Sequence, residues 1–182
     1  MERIDQPLTS LTIGRRESGQ IDACLIRLRD DSGASHVMLL DRAGQIICAQ
    51  GVDQRASEMM HLGALLAGAY ATSHEMARLL KETGFRVLVQ EGVREKIFTE
   101  AIEDRWLLAV VFDQQAHLGL IKVLARRTTQ GLEHILHAVI AENLARRAVV
   151  GNHVRKASID TIDLLFNDDS TAQAQPNTTE KK

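Results

Sequence analysis

The chain has 182 residues, 45% of them hydrophobic, 25% charged and only 3% aromatic, so it can bury one core of its own, and that core must be aliphatic. A formal net charge of -2, with both signs spread along the sequence, offers no basic face for a nucleic-acid backbone. No stretch approaches the roughly 18 uninterrupted apolar residues of a membrane span, and the opening MERIDQPLTSLTIGRR lacks the apolar run and cleavage site of a secretory leader. The expectation is a cytoplasmic protein with neither a nucleic-acid partner nor a membrane span.

Residues 1–17 show no periodicity and read as a flexible N-terminal arm. From there Ile21, Leu25 and Leu28 recur at helical spacing, with Ser18 as candidate cap and Asp30, Asp31, Ser32 and Gly33 as stop signals. HVMLL, DRAG and QIICA follow, two β-favouring runs joined by a tight glycine-containing turn, which is the pattern of a hairpin. Cys24 and Cys48, the only cysteines, lie inside apolar stretches and read as small buried hydrophobes; no Cys-x-x-Cys pair offers a metal site.

A second helix is expected from about Arg55 to Glu82, closed by Gly84. Met59, Leu62, Leu66, Ala69 and Met76 form one stripe on it, and Met60, Gly63, Ala64, Ala67, Gly68 and Ala71 a second stripe of mostly small residues. A helix apolar around most of its circumference must be covered on more than one side, and small side chains let another backbone approach closely. The reading is sheet on one side and a second helix on the other.

Three strand candidates come next, RVLVQEG, EKIFTEAI and WLLAVVFD, most simply laid out as an antiparallel meander. Ile121, Leu124, Thr128, Leu132, Ile135 and Val139 then mark a long amphipathic helix from about Gln115 to Val149, with Gly131 as a candidate break. After Gly151 and Asn152, SIDTIDLLF sets Ile159, Ile162, Leu165 and Phe166 on one side of a short helix. This segment either folds back on its own domain or docks in a partner's groove. The expected organisation is an arm at 1–17, one domain at 18–150, a short amphipathic motif at 151–166 and a disordered tail at 167–182.

The sequence contains neither G-x-x-x-x-G-K-[ST] nor G-x-G-x-x-G, so neither familiar phosphate cradle is present. His134 and His137 are three apart on a helix, but no carboxylate or cysteine at matching spacing completes a ligand set, and no metal or cofactor is expected. His61 has no nucleophile and orienting acid to work with. Arg126 and Arg127 suggest an arginine finger, yet they continue the polar side of an amphipathic helix and read as a solvated face. Glu91 and Glu95 flank a hairpin turn and read as solvent-facing.

The order helix, hairpin, helix, three-strand meander, helix resembles the Roadblock/dynein light chain family. VMLLDRAGQIICAQG resembles the family's opening hairpin, HLGALLAGAYATSHEMARLL its small-residue central helix, and LLAVVFDQQAHLGLIKVLARR its last strand and last helix. The resemblance covers residues 19–145 and rests on the conjunction of these patterns. It implies an α+β (α/β) sandwich, profilin-like, with a five-stranded antiparallel sheet and helices on both faces. It also implies a homodimer in which central helices pair and strands join edge to edge, through Met60, Gly63, Ala64, Ala67, Gly68, Ala71, Val87 and Val89. Such dimers are platforms for Ras-like small GTPases, and MglB-like bacterial members accelerate GTP hydrolysis on a partner without supplying an arginine finger. The expectation is therefore a non-enzymatic regulator or scaffold, with exposed positions among Arg55, Glu58, His61, Tyr70, His74 and Arg78 as partner contacts. The alternative is a small-molecule sensor of profilin-like or PAS-like kind, against which the scarcity of aromatics weighs.

Overall fold

The structure, a computed structural model, describes residues 12–51 and 56–167, with Ala56 and residues 147–167 described as backbone only. The chain divides into two compact units, Met1–Ile140 and Ala141–Lys182; the sheet and the core residues packed on it belong to the first.

Helix α1 (Arg15–Ser32) buries Ile21, Leu25 and Leu28, one apolar stripe at helical spacing. It begins before Ser18, inside the expected arm. Gly14 is the N-cap, and the Ser18 N–H already donates to Gly14 O at 2.9 Å, so the Ser18 hydroxyl has no capping role. Gly33 ends the helix at φ 69°, the left-handed conformation that a side chain disfavours.

Strands β1 (His36–Asp41) and β2 (Ile46–Gly51) pair antiparallel. Their turn is held by the Asp41 carboxylate, which accepts from the Ala43 N–H at 2.9 Å and the Gln45 N–H at 2.8 Å.

Helix α2 (Ala56–Leu79) stops earlier than glycine punctuation suggests. Lys81 takes the left-handed conformation at φ 59°. The Lys81 N–H donates to Arg78 O at 3.1 Å and the Glu82 N–H to Ala77 O at 2.9 Å, which satisfies two of the carbonyls at the helix end. Gly84 lies beyond this closure and does not supply it.

Strands β3 (Val87–Glu91), β4 (Glu95–Ile102) and β5 (Trp106–Asp113) form the meander. Glu103 and Asp104, at φ 50° and 53°, make the tight turn between β4 and β5, closed by the Arg105 N–H to Ile102 O at 3.1 Å. The sheet order is β2-β1-β5-β4-β3, antiparallel throughout.

Alternation along the strands divides the core in two. Val37, Leu39, Phe98, Leu108, Val110 and Phe112 point to the side covered by α1 and by Ile121, Ala125, Leu132 and Leu136. Met38, Leu40, Ala101, Leu107, Ala109 and Val111 point to the side covered by Leu66, Ala67 and Tyr70 of α2. Helices therefore lie on both faces of a five-stranded antiparallel sheet.

Helix α3 (Leu118–Asn167) is a single element of 50 residues. Gly131 does not break it, and the separate short motif expected at 151–166 is part of the same helix. An interior glycine costs about 1 kcal/mol relative to alanine, and no proline lies between 118 and 167 to stop propagation. The side chains of Ile159, Ile162, Leu165 and Phe166 lie outside the described residues, as do residues 1–11 and 168–182.

Candidate partner-docking surface

Each of the two stripes of α2 is split between buried and exposed positions. Leu66, Ala67, Tyr70 and Ala77 are buried on the sheet. Gly63 is also internal: a Cβ there would lie 3.0 Å from Gly44 O and 3.3 Å from Leu40 Cδ2. From the other side, a Cβ on Gly44 would lie 2.6 Å from Ala64 Cα. The two glycines let the β1–β2 turn sit directly against the helix backbone. Gly63 and Ala67 thus serve packing within the chain, not a seam with a second helix.

Met60, Ala64, Gly68 and Ala71 face outward, and a Cβ on Gly68 would meet nothing within 4 Å. Leu65 and Leu79 are 70% and 84% exposed. Met76, expected in the core stripe, is exposed as well. Isolated exposed hydrophobes are ordinary, but this many along one helix form a patch of the kind that marks an interaction surface.

The sheet supplies a second unpartnered element. Among the described residues strand β3 pairs with β4 alone and forms one edge of the sheet. Val87 is exposed and Val89 half-buried. An edge strand presents a row of free backbone donors and acceptors suited to pairing with another strand.

Of the six polar contact candidates, Glu58, His61 and Arg78 are exposed on α2. His61 Nδ1 lies 2.9 Å from Ser57 O, and Arg78 Nη1 is 2.9 Å from Glu75 Oε2. His74 is half-buried beside Gly84, and Arg55 lies outside the described residues. Tyr70 has to be removed from the exposed set: it is 3% exposed, within the α2-side core. Burial, and then the negative charge of Asp104, pushes its hydroxyl pKa up, so it stays a neutral phenol.

Away from α2, Arg126 donates to Glu100 Oε1 at 3.2 Å, and Arg86 Nη2 is 3.6 Å from the same oxygen. The Glu100 side chain is 3% exposed, whereas both guanidinium side chains are about half exposed. This ion triad ties α3, β4 and the residue preceding β3 together. It was not legible in the sequence, because Glu100 lies in EKIFTEAI where a solvent-facing acid is equally at home. Arg126 is thereby engaged within its own chain; Arg127 is exposed. His137 Nε2 is 2.6 Å from Glu103 Oε2, while His134 is exposed, so the two histidines do not converge. Glu91 and Glu95 are both exposed, with Lys96 3.6 Å from Glu91.

The two cysteines are free and half-buried. The Cys48 thiol donates to Asp22 Oδ1 at 2.9 Å. Burial, with the Asp22 carboxylate adding to it, pushes the Cys48 pKa up to about 12; burial also raises that of Cys24, opposed by Arg27. Because the thiolate is the reactive form, Cys48 should stay protonated at pH 8.5 and alkylate much more slowly in the folded protein than in denaturant, as mass spectrometry of iodoacetamide-treated samples would show. Equal rates in the two states would contradict this environment.

The Roadblock/LC7 domain family profile matches residues 21–112, just over half of the chain. A search of curated proteins finds no significant match. Among solved structures, Myxococcus xanthus MglB superposes with a TM-score of 0.66 at 29% identity, over 71% of this chain and 96% of that one. A structure described as MglB with tetrameric arrangement gives 0.67 at 25% identity, over 71% and 97%. The gliding protein MglB of Thermus thermophilus gives 0.64 at 26% identity, over 69% and 95%. The helix order, the sheet and the profile agree, and the chain belongs to the Roadblock/LC7 domain family.

Proposed function

We propose that this chain is a homodimeric regulator or scaffold that binds a Ras-like small GTPase and modulates its nucleotide cycle or localisation without itself being an enzyme. The observation that carries this reading is the outward face of α2, where Met60, Ala64, Gly68 and Ala71 remain exposed beside Leu65 and Leu79. In the proposed dimer these small residues form the seam, and Val87 and Val89 lie on the β3 edge that meets its copy. The likeness to MglB structures at 25–29% identity supports both self-association and a GTPase partner.

Docking falls to the polar margin of the same helix, at Glu58, His61 and Arg78, with half-buried His74 at its border and Arg55 preceding the helix. With Arg126 held by Glu100, the mechanism favoured is conformational. The surface binds one arrangement of the partner's switch segments more tightly than the other and so shifts their populations. A docking surface of this kind needs no cofactor.

The test is complex formation with Ras-like GTPases of the same organism, loaded with GTP or GDP. Binding that prefers one nucleotide state is expected, and Glu58→Arg with Arg78→Glu should weaken it while leaving the fold intact. Absence of binding to either state would overturn the reading.

A further inference from the structure

The second unit, Ala141–Lys182, contains the last part of α3, which continues to Asn167. Among the described residues this is the unit's one element. A helix of this length standing alone is marginal in water, and most helices in proteins are held by covering an apolar side. At about 100° per residue, Leu144, Ala148, Ile159, Ile162, Leu165 and Phe166 fall within about a third of the circumference, with Arg155 on the same side. The charges, by contrast, are divided along the length. Residues 141–157 hold four basic residues, Arg146, Arg147, Arg155 and Lys156, against Glu142 alone, a net charge of +3. Residues 158–169 hold four aspartates and no basic residue. A solitary helix is stabilised by acids near its start and cations near its end. Here the last turn has no basic residue, and Asp160 and Asp163 lie within two turns of the end. The arrangement is unfavourable for a helix on its own and points to a contact that offsets it.

We infer that residues 141–169 pair antiparallel with the same residues of a second copy of this chain. Opposite direction sets each basic half against the other copy's acidic half, whereas a parallel pair would set like charges together. The two halves belong to one continuous helix and cannot meet each other, so the complement comes from another molecule, and an identical one supplies it in full. The halves divide between 157 and 158, so the copies cross there and Ala148 stands level with position 167 of the second copy. One surface serves both copies, as a two-fold contact requires, and the apolar sides cover each other. Attraction between charged helices is screened by salt. At ordinary ionic strength and micromolar protein the α2 seam therefore sets the mass, and the helix pair forms as salt falls and concentration rises. The contact uses no residue of α2 and goes beyond the GTPase reading.

The experiment uses the full chain carrying Met60→Glu and Ala71→Glu, so that the α2 seam contributes nothing and the outcome does not depend on it. In sedimentation at about 10 mM salt, where the screening length is about 30 Å, the mass should rise from 20.2 kDa toward twice that as protein approaches roughly 100 μM. Added salt should reverse the rise. Asp160→Lys with Asp163→Lys should raise the dissociation constant about tenfold or more, as should Arg155→Glu with Lys156→Glu, and mixing the two variants should restore association. A flexible bis-maleimide should join a chain carrying Ala148→Cys to one carrying Asn167→Cys more efficiently than it joins two like chains. A mass of 20.2 kDa at every salt and protein concentration would overturn the assignment. So would association unmoved by either charge reversal, a mixture that stays dissociated, or preferential joining of like chains.

Discussion

Substituting Arg86 and Arg126 together by alanine should destabilise the domain by about 3–5 kcal/mol, the usual cost of stranding a buried charge. At this chain length that corresponds to a fall in midpoint of roughly 10 °C. The Glu100 side chain is 3% exposed and its described ion partners are these two guanidinium groups, so losing both leaves a carboxylate away from water. Each arginine alone should cost far less, because the other remains within 3.6 Å. Removing Glu100 instead strands little, since each arginine side chain is about half exposed and reaches solvent. Adding Glu100→Gln to the double variant should therefore restore much of the lost stability. Thermal unfolding of the single, double and triple variants checks the series. Additive single effects with no recovery by glutamine would show that the triad does not act as described.

The second large effect concerns assembly. Met60→Glu with Ala71→Glu places two carboxylates on the outward stripe of α2, at positions exposed in the protomer. In the proposed dimer these charges would be forced into an apolar seam. The dissociation constant should rise by two orders of magnitude or more, about 3 kcal/mol, and the sedimenting mass should fall from twice 20.2 kDa to 20.2 kDa. The protomer itself should keep its fold, because exposed substitutions of this kind change stability by about 0.5 kcal/mol or less. Ala67→Glu provides the contrast. Ala67 is 6% exposed and packed in the core beneath α2, so a charge there should unfold the protomer. If both variants only dissociate, the division of α2 into an inner and an outer face is wrong.

That division marks where sequence reasoning reached its limit. The strands were legible because β-branched and aliphatic runs such as VMLL, QIICA and WLLAVVF are bounded by turn chemistry at Asp41–Gly44 and Glu103–Asp104. Helix α2 was legible as a helix, but periodicity locates a buried face only when the remaining face is polar. Here the helix is apolar around most of its circumference, so sequence could not tell Gly63, which meets Gly44 and Leu40, from Gly68, which meets nothing. Tyr70 misleads for a related reason: a hydroxyl marks it as a surface candidate, while its ring is part of the core.

Termini of elements were harder. The closure of α2 falls to Lys81 in a left-handed conformation, where glycine rules pointed to Gly84. Helix α3 runs through Gly131 and Gly151, because a lone glycine weakens a helix without terminating it. Long-range pairs such as Arg126 with Glu100 depend on which elements pack together, and no local pattern encodes that.

The most direct test of the central claim is the mass of the complex between this protein and a GTP- or GDP-loaded Ras-like GTPase, measured by light scattering after gel filtration. The account predicts a complex in one nucleotide state that contains two copies of this chain, lost when Met60 and Ala71 carry charges. A complex containing a single copy, or no complex with either nucleotide, would contradict it.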